Sequence, residues 1–126
     1  MGDDQVQGHW GNDSLWGGGG NDTLHGGAAD DWLSGGVGDD LLTGGGGRDI
    51  FVFVSGDGHD TISDFRLGHR GDWIALEVQG ITGFEDLLAL ADGDATGVMF
   101  DFGGGDVLAL YGVALDDLDA QHFVLG

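Results

Sequence analysis

The chain has 126 residues, enough for one domain; 29 are Gly, and Pro and Cys are absent, which excludes collagen, disulfide staples and thiolate metal sites. Acidic residues outnumber basic ones by 23 to 3, a formal net charge of −20, and such a surface repels nucleic-acid phosphates and anionic lipid. Yet 40% of residues are apolar and four are Trp. A chain with this much to bury and this much self-repulsion calls for a cation. Lys-free and rich in Asp, it calls for a hard one that takes oxygen ligands, Ca²⁺ before Zn²⁺.

At the N-terminus, Met1 is followed by Gly2-Asp3-Asp4, with no basic-then-apolar leader. This start resembles the middle of a repeated unit, so the chain is expected to be the C-terminal portion of a longer protein. No stretch approaches the roughly 18 consecutive apolar residues of a membrane span.

From Gly2 to Val52 the sequence repeats every nine residues. Asp4, Asp13, Asp22, Asp31, Asp40 and Asp49 share one phase, and two positions after each stands an apolar residue: Val6, Leu15, Leu24, Leu33, Leu42 and Phe51. A Gly-rich run precedes each Asp. The unit is G-G-x-G-x-D-x-U-x with U apolar, a solenoid period. Six residues make a turn, because Gly accepts positive φ cheaply. Three make a strand whose middle side chain faces inward. Two units make one coil, so residues eighteen apart stack, with Val6, Leu24 and Leu42 on one sheet and Leu15, Leu33 and Phe51 on the other. The turns place Asp13, Asp31 and Asp49 along one edge and Asp4, Asp22 and Asp40 along the other. At a strand spacing of about 4.8 Å stacked carboxylates repel, and an ion between each pair reverses that energy. A flexible Gly/Asp linker would not hold an apolar residue in fixed phase.

These repeats resemble the RTX (repeats-in-toxin) nonapeptides of secreted bacterial proteins. The stretches Gly44-Gly45-Gly46-Gly47-Arg48-Asp49-Ile50-Phe51-Val52-Phe53, Asp60-Thr61-Ile62-Ser63-Asp64-Phe65 and Gly71-Asp72-Trp73-Ile74-Ala75-Leu76 are similar to the C-terminal domains of serralysin-type proteases and to alginate epimerase modules. The resemblance implies an all-β fold: a right-handed parallel β-roll of two short sheets over 1–65. A capping region with an antiparallel β cap and one short helix then covers 66–126, the whole forming one continuous domain. It also implies ions between turns eighteen residues apart. Each takes carbonyls from unit positions 2 and 4 of the earlier turn, carbonyls from positions 1 and 3 of the later turn, and both Asp carboxylates.

Carried over, one site uses His9, Gly11 and Asp13 with Gly26, Ala28 and Asp31. A second uses Gly18, Gly20 and Asp22 with Gly35, Val37 and Asp40. A third uses Gly27, Ala29 and Asp31 with Gly44, Gly46 and Asp49; Ala29 departs from the Gly pattern and is expected to strain that turn. Ser55 to Ser63 reads either as one more unit or as a plain hairpin turn. As a unit it closes a fourth site, Ser55, Asp57 and Asp60 with Gly36, Gly38 and Asp40, for about four Ca²⁺ in all. Asp4 faces Asp22 in a half-built site.

Beyond residue 66 the phase fades. Trp73 to Val78 alternates as a strand, and Thr82-Gly83-Phe84-Glu85 forms a capping box opening a short helix that Gly93 stops. Thr96 to Phe102 and Val107 to Tyr111 form a hairpin, Leu115 to Leu118 a helical turn, and His122 to Leu125 a last apolar run. This tail is expected to cap the open roll by packing over Trp32, Ile50 and Val52. Alternatively Trp16 and Trp32 form a platform for sugar rings.

No zinc-protease motif, Cys nucleophile or nucleophile elbow is present, and Gly17 to Gly20 precede a strand where a phosphate loop would need a helix. His59 and His69 read as turn residues. The expectation is therefore no enzyme but a calcium-binding module that folds after export by a type I secretion apparatus. Leu115 to Leu125 has the acidic-then-apolar character of the family's export signal. The module would be extracellular or at the bacterial cell surface, stabilising or presenting an upstream domain of the same polypeptide. The rival is a polysaccharide-binding module; only Arg48, Arg66 and Arg70 could meet an anionic polymer.

Overall fold

A computed structural model describes residues 2–68, 71–94 and 96–125; His69 and Arg70 lie outside the described residues. The nine-residue units fold as the period requires. Strands β1 (Gln5–Gln7), β2 (Ser14–Trp16), β3 (Thr23–His25) and β4 (Trp32–Ser34) are three residues long. β5 (Asp40–Thr43) and β6 (Ile50–Val54) are slightly longer. Odd strands pair in parallel on one sheet, Val6 beside Leu24 and Leu24 beside Leu42. Even strands pair on the other, Leu15 beside Leu33 and Leu33 beside Phe51. The central side chain of each strand points into the seam, where Leu24, Leu33, Leu42 and Phe51 are fully buried.

The coil then continues past the expected boundary at 65/66. β7 (His59–Ile62) pairs in parallel with β5, setting Ile62 beside Leu42. β8 (Trp73–Glu77) pairs in parallel with β6, setting Ile74 beside Phe51 and Leu76 beside Phe53. Ser55 to Ser63 is thus a further coil, not a hairpin. The remaining strands extend the same two sheets. β11 (Asp106–Tyr111) runs parallel to β7, and β10 (Gly97–Gly103) and β9 (Ala91–Gly93) follow antiparallel. β12 (Phe123–Leu125) runs parallel to β8. The antiparallel part of the cap is confined to β9, β10 and β11. The sheet orders are β1-β3-β5-β7-β11-β10-β9 and β12-β8-β6-β4-β2.

Helix α1 (Phe84–Ala89) is short and is the single α-helix among the described residues. Its N-cap is Gly83, one residue beyond the Thr82 read from the sequence. The carboxylate that closes the turn is Asp86, which accepts from the amides of Thr82 and Gly83 at 3.1 and 3.2 Å. Leu87 is its fully buried residue, so the helix is held by packing and not by its own propensity. Phe84 contacts Phe123, and Phe53 contacts Phe102, with ring centroids 5.6 and 5.5 Å apart. These contacts join the tail to the end of the aliphatic seam.

The tail does not lie over Trp32, Ile50 and Val52 as expected. It lies beside them: Ile50 pairs with Trp73 and Val52 with Ala75. The outer face stays open, with Trp16, Ile50 and Trp73 exposed by 67%, 36% and 39%. Unpaired strand edges carry a row of unmet backbone groups, and the tail satisfies these in preference to covering side chains. Among the described residues, no helix is long and apolar enough to cross a membrane.

Candidate metal centre

The turns between strands carry the charge. From Asp22 onward the position-6 Asp sends one oxygen back across the coil. Asp22, Asp31, Asp40 and Asp49 each accept through Oδ1 from the amide of the Asp eighteen residues earlier, at 2.8 to 2.9 Å. Asp60 does the same for Asp40 at 3.2 Å across twenty residues, and Asp72 for Asp49 at 2.9 Å across twenty-three.

The second oxygen is left without a partner. Oδ2 of Asp13, Asp22, Asp31, Asp40, Asp49 and Asp60 is buried and accepts no hydrogen bond. A buried unpaired carboxylate oxygen is costly, and its recurrence along both edges fits turns shaped to hold a cation. The position-1 glycines show where. A Cβ on Gly8 would lie 2.6 Å from Asp13 Oδ2 and 2.6 Å from the Gly26 carbonyl. On Gly17 it would lie 2.6 Å from Asp22 Oδ2 and 2.6 Å from the Gly35 carbonyl, and on Gly26 2.5 Å from Asp31 Oδ2 and 2.7 Å from the Gly44 carbonyl. The carboxylates of Asp13, Asp22 and Asp31 therefore converge with a carbonyl of the following coil, and the glycine keeps the space between them clear. Oxygens only, mixed carboxylate and carbonyl, are the donor set of Ca²⁺. No group of three or more His, Cys, Asp or Glu side chains is placed to hold a metal among the described residues, so backbone carbonyls have to supply much of any such shell.

The residues expected to hold ions fall into these turns, with differences. Positions 2 and 4 are left-handed: Gly11, Gly18, Gly20, Gly27, Gly36 and Gly38 all have positive φ. His9 and Ala29 occupy the same conformation at φ 71° and 72°. Ala29 does not deform its turn; it adopts the glycine geometry, at a steric cost of about 1–2 kcal/mol. In the 55–60 turn, Asp57 accepts from the Val54 amide through Oδ2 at 3.0 Å, and its carbonyl accepts from Gly38 at 2.9 Å. Ser55 Oγ accepts from Gln79. That turn is braced by protein contacts more than the others, and Asp106 adds two, accepting from Gly56 and Gly58 at 2.9 and 3.1 Å. Asp4 is exposed, and its amide donates to Asp22.

Two features escape the unit as written from sequence. The residue before each Asp forms a second ladder in the opposite sense. Asp3, Asn12, Asn21 and Asp30 accept through Oδ1 from the amide eighteen residues later, at 2.7 to 2.9 Å, and Asp39 from His59 at 3.3 Å. Asp72 is the other, the last member of the Asp13–Asp31–Asp49 edge.

Burial sets the electrostatics. It pushes Asp49 up to about 7, helped by the charges of Asp72, Asp31 and Asp64 and opposed by the amide bond to Asp31. Burial also raises Asp31, Asp40, Asp57, Asp60 and Asp72. For Asp60 the adjacent Asp40 charge is the next cause. The folded, ion-free roll thus binds protons that the unfolded chain, with ordinary values near 3.8, releases. Such groups stabilise the fold below about pH 4 and lose that contribution as pH rises through 7 and beyond. In calcium-free buffer, β content measured by circular dichroism should grow as pH falls from 8 to 5. In the same range the calcium concentration for folding should rise, because protons and the cation compete for the same oxygens.

A parallel roll whose turns present rows of half-satisfied carboxylates to backbone carbonyls is a cation-binding solenoid. Residues 2–24, 16–51 and 25–62 match the RTX calcium-binding nonapeptide repeat, so this part of the chain carries RTX repeats. Two solved structures share the whole fold at 27% identity. One is the crystal structure of extracellular lipase LipA from Serratia marcescens, TM-score 0.78, covering 99% of this chain and 20% of that one. The other is the solution structure of the AlgE6R3 subunit from the Azotobacter vinelandii mannuronan C5-epimerase, TM-score 0.68, covering 97% of this chain and 78% of that one. The chain thus spans about a fifth of the lipase. No curated protein sequence matches it.

Proposed function

We propose that this chain is a calcium-dependent folding module of a secreted bacterial protein, exported by a type I apparatus and stabilising or presenting an upstream domain. One observation carries the reading: the buried Oδ2 atoms along both edges, those of Asp13, Asp22 and Asp31 set beside a carbonyl of the next coil. Calcium, when bound, neutralises the stacked carboxylates and bridges adjacent coils. The gaps Asp13/Asp31, Asp31/Asp49, Asp22/Asp40 and Asp40/Asp60 would take about four ions, with the position-1 to position-4 carbonyls completing each shell. Low cytosolic calcium leaves such a chain unfolded by its own charge, which suits threading, and millimolar calcium outside folds it. The 20% coverage of the extracellular lipase supports an extracellular location and a larger parent.

No catalytic role is proposed. His122, the buried histidine, has both ring nitrogens engaged: Nδ1 bonds the Asp72 carbonyl at 2.9 Å and Nε2 accepts from Gly68 at 3.3 Å. The test is a calcium titration followed by circular dichroism. A steep transition from disorder to β is expected with Ca²⁺, and a poor response with Mg²⁺, which demands a smaller octahedral cage and holds its water. Equal β content in chelator at pH 8 would sink the reading.

A second reading rests on the open outer face. Trp16 and Trp32 meet edge to face, centroids 5.0 Å and planes 81° apart, and the exposed Trp16 ring is open to contact with a polysaccharide. A glycan-binding screen with and without calcium separates the two readings.

A further inference from the structure

The end of the Asp13–Asp31–Asp49–Asp72 edge is built differently from every step before it. Asp72 is wholly buried and repeats the amide bond of its predecessors, accepting from Asp49 through Oδ1. Its second oxygen, however, is not left unpaired: Oδ2 accepts from the Arg66 amide at 3.0 Å. The Arg66 side chain then reaches back to the preceding turn, where its guanidinium donates to the Gly47 carbonyl. Gly47 is the position-4 residue of its turn. One coil earlier, the position-4 carbonyl of Ala29 is packed beneath Gly47. At the end of the edge no further glycine follows, and Arg66 takes that carbonyl.

The charge around this turn explains why a cation belongs there. Asp49 is fully buried with Oδ2 unpartnered. Asp64 accepts from the amides of Gly44 and Gly45 at 2.9 and 2.8 Å, and Asp72 completes the set. Burial raises both Asp49 and Asp72; the charges of Asp72, Asp31 and Asp64 add to the rise at Asp49, and the charge of Arg66 opposes it at Asp72. Asp30 and Arg48 line the outer side of the groove with Gly47 and Arg66, Arg48 giving its amide to Asp30. Described residues on either side of Arg66 are tied down: the Asp72 amide donates to the Arg66 carbonyl at 2.7 Å, and His122 holds Gly68 and Asp72 from the C-terminal segment.

We propose that the Arg66 guanidinium is a tethered counter-cation that closes the last turn of this edge in place of a metal ion. The inference rests on the calcium reading above and deepens it. A tethered cation is present at every calcium concentration and needs no ordering of a free ion. The final turn therefore needs no ion of its own, and as the chain folds the edge takes ions only in the gaps ahead of it.

The test compares the full chain with Arg66→Ala and Arg66→Lys. Native mass spectrometry counts bound Ca²⁺ at saturation, and circular dichroism gives the calcium midpoint of folding. Arg66→Ala should bind one ion more than the wild type and need several-fold more calcium to fold. Arg66→Lys, which keeps the charge without the planar fork, should keep the wild-type count. Wild-type count and midpoint in Arg66→Ala would overturn the inference while leaving the calcium reading intact. If the alanine variant does not fold at any calcium concentration, the lysine variant decides: wild-type ion count supports the inference, and failure like alanine overturns it. A wild-type chain that binds no calcium would overturn the parent reading, and this inference with it.

Discussion

A chain ending at Val54 should stay largely disordered in millimolar calcium, whereas the full chain folds. The shortened chain keeps all six Asp-phased units, yet it loses what closes them. Ile62 no longer covers Leu42, Ile74 no longer covers Phe51, and Leu76 no longer covers Phe53. Returning three such side chains to water costs about 1.5–3 kcal/mol each, a total comparable with the whole stability of an ordinary domain, about 5–15 kcal/mol. The same cut strips polar partners. The amides of Asp40 and Asp49 lose Asp60 and Asp72, and those of Gly44 and Gly45 lose Asp64. Both sheets would end on naked edges at β5 and β6, inviting association. Circular dichroism of the two chains across a calcium series decides the matter. A shortened chain that folds with the full-length midpoint would make the tail dispensable for the roll.

Asp31→Ala should raise the calcium midpoint at least tenfold, about 1.4 kcal/mol, and Asp4→Ala less than twofold. Asp31 serves two gaps at once: Oδ1 accepts from the Asp13 amide, and Oδ2 converges with the Gly44 carbonyl. Its removal also leaves a part-buried amide unpaired, a penalty of about 1–3 kcal/mol. Asp4 lies exposed just before the first strand, where its backbone is engaged, the amide with Asp22 and the carbonyl with Thr23. Asp31→Asn separates the two roles, since it keeps an acceptor for Asp13 but loses the charge. Calorimetric titration of the three variants tests this. Equal affinities for Asp4→Ala and Asp31→Ala would argue against pairing turns eighteen residues apart.

The roll was legible because covalent spacing alone fixes it. With nine residues per unit, Leu24 has to stack between Val6 and Leu42, and the structure pairs them so. Legibility fell where residues are inserted. Asp60 lies twenty residues after Asp40, and Asp72 twenty-three after Asp49, so a fixed period passes over Asp72 even though Asp72-Trp73-Ile74 still carries the Asp-x-apolar signal. The opposed ladder was in phase throughout, at Asp3, Asn12, Asn21, Asp30 and Asp39. It went unread because position 5 looks variable until Asn and Asp are treated as one acceptor type. Nothing in the pattern marks Arg66, whose contact depends on how the loop before β8 folds back. The covering of Trp32, Ile50 and Val52 was expected from side-chain hydrophobicity, whereas backbone pairing at the sheet edges governs where the tail goes.

The two opposed ladders also give the solenoid a head and a foot that are not equivalent. At the foot, Arg66 takes the Gly47 carbonyl and Asp72 Oδ2 takes the Arg66 amide, so the Asp13–Asp31–Asp49–Asp72 edge ends there although the sheets continue into β11 and β12. At the head, the Asp4 carboxylate stands where Asp22 and Asp40 stand in their own coils, with the geometry that would receive an amide from a preceding coil. Units added upstream would meet an interface identical to the one they reproduce, so array length can vary at that end without any change to the closure. The number of ions a protein of this kind carries is then set by how many units precede the cap, while the cap itself stays constant.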